Sequence, residues 1–172
     1  SAGSFAQTQD AHLRGMDGIV SRMGELAVLA QDGTMPDDIR ALYDTEFQQL
    51  KEMVNDVRTA QLNDVNLFDG QAREVTVSPE GDSVTMGDVD LFTDEFNVLT
   101  ANTTRLTSME GARAALDATS AAGASVSIER ADIGSTLSRL ETASAQLTSQ
   151  RESMTAAASR IRDTDVAQES TR

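Results

Sequence analysis

Apolar residues recur at alternating three- and four-residue intervals near the start of the chain. Such residues fall on one side of an α-helix, because the helix completes a turn about every 3.6 residues. The pattern predicts a helix over residues 5–31 with an apolar stripe broad enough to touch two neighbouring elements. The stripe includes Leu13, Met16, Val20, Met23 and Ala27.

The polar turn Gln31-Asp32-Gly33-Thr34 ends this first helix. Gly33 suits the left-handed conformation that is common just beyond a helix C-terminus. Pro36 and the two aspartates after it predict a second helix over residues 36–60, because proline and carboxylates are favoured in a first helical turn. Its predicted inner face consists of Ile39, Tyr43, Phe47, Leu50, Val54 and Val57. The short connection predicts an antiparallel helical hairpin.

The middle of the chain, residues 61–108, is predicted as a loop and β-hairpin region. Two short segments alternate apolar and polar residues on either side of Pro79-Glu80-Gly81-Asp82, which predicts a β-hairpin with its turn at this tetrapeptide. Their apolar members are Val75 and Val77 in the first segment and Val84 and Met86 in the second. Residues 62–70 read as loop, and residues 87–107 carry mixed signals and are predicted as loop or short strand.

The longest periodic pattern begins at Met109 and continues to Ile161 without a proline. It predicts a helix over residues 109–162, roughly 80 Å long at 1.5 Å per residue, followed by a tail over residues 163–172. A heptad pattern sustained over this length indicates a left-handed coiled-coil seam. The predicted packing seam of the chain consists of Val20, Met23, Ala27, Leu50, Val54, Ile133, Leu137, Leu140 and Leu147.

The predicted fold is mainly α: an elongated antiparallel helical bundle or coiled-coil rod with a small β-hairpin, forming a single domain over residues 1–172. The composition agrees with thin helix–helix seams. Aromatic residues make up only 3%, tryptophan is absent, and the apolar residues are mostly Ala, Leu, Val and Met. Alanine allows close helix approach, and leucine or methionine fills the remaining gaps.

Charge and composition exclude several classes of partner. The net charge of −14 argues against nucleic acid and against an anionic membrane, since both require basic patches. No stretch approaches the roughly 18 apolar residues of a membrane span. The absence of cysteine excludes disulfides and thiolate chemistry.

The sequence offers little for catalysis. Its single histidine, His12, lies on the flank of the first helical stripe and is interpreted as a packing residue. No nucleophile elbow or phosphate-binding glycine loop occurs, and one histidine without cysteine disfavours zinc. The acidic loop DVNLFDG (64–70) fails as a calcium loop, because Phe68 stands where an oxygen ligand is needed. We therefore predict a non-enzymatic protein with no cofactor and no metal.

Helical rods of this kind mostly serve as scaffolds, because the seam is satisfied within the bundle and leaves no pocket. Two function classes remain at this point. One is a structural subunit that assembles side by side, and the other is a coiled-coil binding module such as an adhesin stalk.

Four stretches of the chain resemble bacterial flagellins. They are FAQTQDAHLRGMDGIVSRMGELAVLAQDGT (5–34), EFQQLKEMVNDVRTAQLNDVNLFDG (46–70), ERADIGSTLSRLETASAQL (129–147) and ASRIRDTDVAQES (158–170). The first two are similar to the family's N-terminal helices, and the last two are similar to its C-terminal helix and the end of that helix. The chain is thus identified as the core rod domain of a flagellin, without the terminal polymerisation segments and the variable outer domain.

The resemblance implies a structural subunit of the bacterial flagellar filament, which serves motility. It implies secretion through the flagellum's own channel without a cleaved signal, and an extracellular location. The implied partners are other flagellin subunits, the flagellar export apparatus and a chaperone. The Ser-Ala-Gly start fits a trimmed piece of a longer protein, which should stay soluble without polymerising. A hook–filament junction protein shares the fold and is the alternative within the family.

The resemblance also names residues for partner contacts. Arg22, Glu25 and Leu26 match positions at which many flagellins contact Toll-like receptor 5, and outward residues of this stretch form filament contacts. The sequence departs from receptor-activating members at Gly24, where a second arginine is usual, and at Ser21, where glutamine is usual. Losing that charge and its hydrogen-bond donors predicts weakened or absent receptor activation.

The apolar run around the same site is interpreted as packing. Leu26, Val28 and Leu29 are expected to lie within the bundle, just before the chain reverses at Gly33.

Overall fold

The computed structural model describes residues 2–171, which form four α-helices and two small antiparallel strand pairs. The elements are α1 (Ala2–Ala30), α2 (Asp37–Arg58), β1 (Gln61–Leu62), β2 (Val65–Asn66), β3 (Arg73–Thr76), β4 (Ser83–Met86), α3 (Asp94–Thr100) and α4 (Met109–Glu169). The prediction of a mainly α fold with a small hairpin is confirmed.

Helices α1 and α4 run antiparallel and form the main part of the core. Asp10, early in α1, pairs with Arg130 at 3.2 Å, whereas Gly24, late in α1, lies beside Thr119, which is nearer the start of α4. The α4 side of the interface is mostly alanine, which lets the helices approach closely while large α1 side chains fill the space between them. These residues are Ala112, Ala115, Ala118 and Ala122 on α4, and Leu13, Met16, Met23 and Leu26 on α1.

The predicted seam is covered along only part of its length. Val20, Met23, Ala27, Val54 and Ile133 are buried, and Leu50 and Leu137 are half-buried against the same core. Leu140 and Leu147 are also only half-buried, and every described residue of α4 beyond Leu147 is exposed. The prediction of a fully packed seam is wrong for this half of α4, because the hydrophobic core extends along α4 only to Ile133, with Leu137 partly buried against it.

Helix α4 is longer than predicted. Its 61 residues end at Glu169, so the predicted tail over residues 163–172 is helical up to that point. Neither proline nor glycine follows Ile161 to stop the helix, and at 1.5 Å per residue α4 measures about 90 Å. Its start at Met109 is as predicted, with the Ser108 hydroxyl accepting a hydrogen bond from the Gly111 N–H at 3.0 Å.

The buried face of α2 differs from the predicted one. Ile39 is exposed, and Tyr43, Leu50 and Val57 are only half-buried. The buried positions are Arg40, Asp44, Phe47, Lys51, Val54 and Arg58. The helix packs against α1 on one side and against α3 on the other, so its most buried residues lie between these two contacts. Four of these residues are charged, and their side chains form hydrogen bonds with the backbone of loops or of the end of α1.

The predicted β-hairpin is confirmed, with Val75 opposite Val84 and with Val84 and Met86 buried. A second, minimal hairpin, β1–β2, lies in the predicted loop over residues 62–70 and turns at two positive-φ residues, Asn63 and Asp64.

Helix α3 lies within residues 87–107, which were predicted as loop or short strand. That prediction is wrong, because the element has only seven residues and buries only Phe96 and Leu99, too few to show a helical period. Asp94 and Glu95 supply favourable charge in its first turn.

Candidate interaction surface

An ion-pair cluster joins the exposed faces of α1 and α2. Arg22 donates from Nε to one carboxylate oxygen of Glu46 at 2.8 Å and from Nη2 to the other at 3.1 Å. Its Nη1 donates to Glu25 at 3.2 Å. The two-point bond to Glu46 fixes the plane of the guanidinium, so Arg22 is presented in one defined orientation.

The hairpin turn brings these residues together. Arg22 and Glu46 are equally far along the chain from Thr34, so an antiparallel hairpin turning there places them opposite each other. Buried Arg40 stabilises the turn, donating to the carbonyl oxygens of Ala30 and Asp32 at 3.0 Å each. Glu46 was not among the predicted site residues, although this spacing would have identified it.

The Glu46 carboxylate and the Arg22 guanidinium both remain charged in this cluster. The hydrogen bond from Arg22 lowers the pKa of Glu46, and the hydrogen bonds to Glu46 and Glu25 raise the pKa of Arg22. Because the cluster is exposed to solvent, it contributes little to stability. Its effect is to define a rigid polar patch on the surface.

The structure separates the four predicted contact residues. Arg22 and Glu25 share the exposed face, but Leu26 is fully buried and cannot contact a partner, so its prediction as a contact residue is wrong. Gly24 turns toward α4, where a Cβ built on it would lie 3.4 Å from the hydroxyl oxygen of Thr119. That distance is an ordinary van der Waals contact, so a Cβ can be accommodated at this position.

Apolar side chains surround the ion-pair cluster. Val28 is 56% exposed and Leu29 is 45% exposed, so the prediction that they pack within the bundle is wrong, whereas Leu26 is buried as predicted. At the tip of α1, the helix is covered by α4 and α2 on only part of its circumference, and these two residues fall on the remaining face. With exposed Leu42 on α2, they add apolar area to a surface suited to protein contact.

A second charged region lies where the segment after β4 meets α4. Burial raises the pKa of Glu129, and the nearby carboxylates of Asp132, Asp88 and Asp90 raise it further. The folded protein therefore holds the Glu129 proton more tightly than the unfolded chain does. Stability from this group is present at low pH and is lost as pH rises from the ordinary glutamate pKa through the raised one.

Replacing Glu129 by glutamine is expected to raise the melting temperature near pH 7, because it removes a half-buried charge that lies close to other carboxylates. The gain should vanish at about pH 3.5, where the carboxyl group is protonated in both states. Thermal unfolding followed by circular dichroism at both pH values measures this, with exposed Glu141→Gln as the control. Equal gains at both pH values would contradict the assigned cause.

His12 lies half-buried against Phe68, with ring centroids 6.1 Å apart. The contact fits the predicted packing role.

Comparison with known proteins identifies both ends of the chain. Residues 1–73 match the family described as the bacterial flagellin N-terminal helical region, and residues 116–172 match the bacterial flagellin C-terminal helical region. The matched regions contain α1, α2 and most of α4, which are the elements that build the rod.

Individual relatives agree with these matches. The chain is 32% identical over 96% of its length to a flagellin of Halalkalibacterium halodurans, and 29% identical over 97% to a flagellar filament core protein of Brachyspira hyodysenteriae. It spans 62% and 64% of the lengths of these relatives. The crystal structure of Bacillus cereus flagellin is similar with a TM-score of 0.74 and 30% identity, covering 91% of each chain.

Proposed function

This chain belongs to the bacterial flagellin family, and from that membership we propose that it is a structural, non-enzymatic subunit of the flagellar filament. The observation that carries the proposal is the antiparallel pairing of α1 with α4, two helices that match the family's N-terminal and C-terminal helical regions. A rod with an exposed face on each long helix is suited to packing beside copies of itself.

Other flagellin subunits are the proposed partners in the filament. The relatives named as flagellins and as a filament core protein favour this assignment over a hook–filament junction protein and over an unrelated coiled-coil adhesin. Because the chain spans less than two thirds of these relatives, the activity of the whole protein is part of the proposal.

We place the filament, and this chain within it, outside the cell. Family membership supports export by the flagellar export apparatus with the help of a chaperone. No helix within residues 2–171 combines the length and apolar character that a membrane crossing requires.

Complementation tests the function directly. The complete gene product that carries this chain is expressed in a bacterium whose flagellin genes are deleted, and filaments are sought by electron microscopy and swimming assays. Filaments and restored motility are expected. Export of the product without filaments would contradict the proposed structural role.

For Toll-like receptor 5, we propose that the chain is a weak activator or none. Gly24 and Ser21 stand where the resemblance associates an arginine and a glutamine with activation. The two carboxylates that bind Arg22 also occupy donors that a receptor would need. Arg22 therefore exchanges an existing ion pair when it meets a partner, which reduces the net gain in binding.

The double replacement Ser21→Gln and Gly24→Arg is expected to raise receptor activation, measured with reporter cells over a concentration series. A Cβ at position 24 meets only the Thr119 side chain, at ordinary contact distance. Gly18→Arg is the matched control, because it adds the same charge at an exposed helical position with no neighbour within 4 Å. A strong response to the unmodified protein, equal to that of an activating flagellin, would contradict the proposal.

A further inference from the structure

An open groove between α3 and α4 combines an apolar floor with acidic edges. Its volume is about 430 Å³. The floor consists of Val98 of α3, which is 55% exposed, and of alanines of α4. The edges carry Asp94 and Glu95 of α3 and Asp117 of α4, and within residues 2–171 no basic side chain lines the groove. Apolar area is therefore presented to solvent between negative charges.

The same face of α4 continues beyond the groove. Ala114, Ala121 and Ile128 are spaced by seven residues, so they lie nearly in line along the helix. Ile128 is 63% exposed, and Asp132, one turn further along, adds a carboxylate at the far end. We call the surface from Asp117 to Asp132, with α3 beside it, the acidic strip. At 1.5 Å per residue it is about 22 Å long.

Nearby arginines do not neutralise the acidic strip. Buried Arg58 donates to side chains of α3 from the direction of α2, and Arg130 pairs with Asp10 of α1 at 3.2 Å. Arg113 is exposed on α4 just outside the lining of the groove. Because Arg58 already fixes α3, the groove is formed before a partner arrives, which lowers the cost of binding.

We propose that the acidic strip binds a short cationic amphipathic peptide as a helix. Apolar side chains of the peptide lie against Val98 and Ile128, and its lysines or arginines lie beside the edge carboxylates. Charge complementarity identifies this occupant, since an acidic helix would face like charges along the whole strip. The alanine floor also allows a helix to approach closely.

The size of the strip agrees with a free peptide. A length of 22 Å matches a helix of about 15 residues, which is only marginally stable alone in water and would form on the surface. A strip one helix wide is smaller than the roughly 800 Å² that a standard interface between folded proteins buries on each partner. The inference goes beyond the proposed function and does not rest on it, because binding requires only the monomer.

Fluorescence anisotropy tests the binding. The monomeric complete gene product is titrated into a labelled synthetic peptide of about 15 residues, with leucine and alanine on one helical face and lysine on both flanks. Saturable one-to-one binding is expected at low salt, with weaker binding at high salt. A peptide of the same composition in scrambled order, and one with glutamate in place of lysine, are the controls and should bind much more weakly.

Variants locate the site. Asp117→Asn should weaken binding about two- to fivefold, the range expected for one exposed charge pair, whereas exposed Glu141→Gln should leave it unchanged. Val98→Lys should weaken it about tenfold or more, because apolar burial is lost and a like charge is added. Leu42→Lys, at an exposed position on α2, adds the same charge and should have little effect. Arg113→Ala should strengthen binding. Circular dichroism checks that each variant is folded.

Four results would overturn the inference. They are an absence of saturable binding at low salt, equal binding of the scrambled peptide, and equal weakening by Asp117→Asn and Glu141→Gln, which would assign binding to the net charge of −14 alone. The fourth is dimerisation of the protein through the strip, seen by analytical ultracentrifugation and abolished by Val98→Lys, which would make a second copy the occupant. Each of these results leaves the complementation test of the proposed function unaffected.

Discussion

Replacing Arg58 by alanine is expected to lower the free energy of unfolding by about 3 kcal/mol, because it removes a buried group that holds three segments together. Arg58 extends from the end of α2 and donates to the carbonyl oxygen of Leu91 at 2.8 Å and to the amide oxygen of Asn97 at 2.6 Å. It also donates to the hydroxyl of Thr100 at 3.2 Å and lies over the ring of Phe92. Alanine would leave the buried Leu91 carbonyl without this donor.

Thermal unfolding of the variant should show a melting temperature lower by about 6–12 °C, which is the shift expected for a chain of this size. Exposed Arg113 on α4 is the matched control, and Arg113→Ala should change the free energy of unfolding by less than about 0.5 kcal/mol. Equal, small effects of the two replacements would show that the Arg58 network is not a stabilising element.

Buried charged side chains such as Arg58 explain why the inner face of α2 was predicted wrongly from the sequence. An apolar period identifies a buried face only when the buried residues are apolar, and here Arg40, Asp44, Lys51 and Arg58 occupy it. Each of the four bonds loop or helix-end backbone that α2 alone does not reveal. Their burial therefore depends on tertiary structure that a local pattern does not contain.

Lys51 is the clearest case. It is the only lysine in the chain, and it is buried with its ammonium donating to the carbonyl oxygens of Ala101 and Thr104. Burial lowers its pKa, and the charge of Arg105 lowers it further. From sequence, a lysine between Leu50 and Glu52 indicates an exposed helical position.

The long helices, by contrast, were predictable. Helix α1, the start of α4 and the hairpin follow repeated apolar spacing, and the resemblance to flagellins at both ends agrees with the matched family regions. The candidate site was predicted less well. Arg22 and Glu25 lie where a partner could contact them, but burial of Leu26 and exposure of Leu29 depend on where α2 lies across α1.

Replacing Gly111 by alanine is expected to have the second large effect on stability, and it should destabilise the protein, whereas a glycine-to-alanine replacement in a helix usually stabilises it. Alanine normally stabilises a helix relative to glycine by roughly 1 kcal/mol. At Gly111, in the first turn of α4, a Cβ would lie 2.5 Å from the carbonyl oxygen of Arg105 and 3.1 Å from the hydroxyl oxygen of Ser108. The first of these atoms belongs to the backbone and cannot move aside by a side-chain rotation.

Gly111→Ala is therefore expected to lower the free energy of unfolding by about 2 kcal/mol, because the chain must shift at the point where it enters α4. The shift would also displace Ser108, which accepts the hydrogen bond of the Gly111 N–H at this helix start. Arg105, whose guanidinium contacts Asp44 at 3.2 Å, would move with it.

Gly134→Ala is the matched control, because Gly134 lies in the same helix with no atom within 4 Å of the added Cβ. It should raise stability by about 0.5–1 kcal/mol in the same denaturant titration. Opposite signs for two glycine-to-alanine replacements in one helix would assign the difference to the Arg105 backbone contact. Stabilisation by both would mean that the entry to α4 relaxes freely, and the close approach at Gly111 would then have no energetic role.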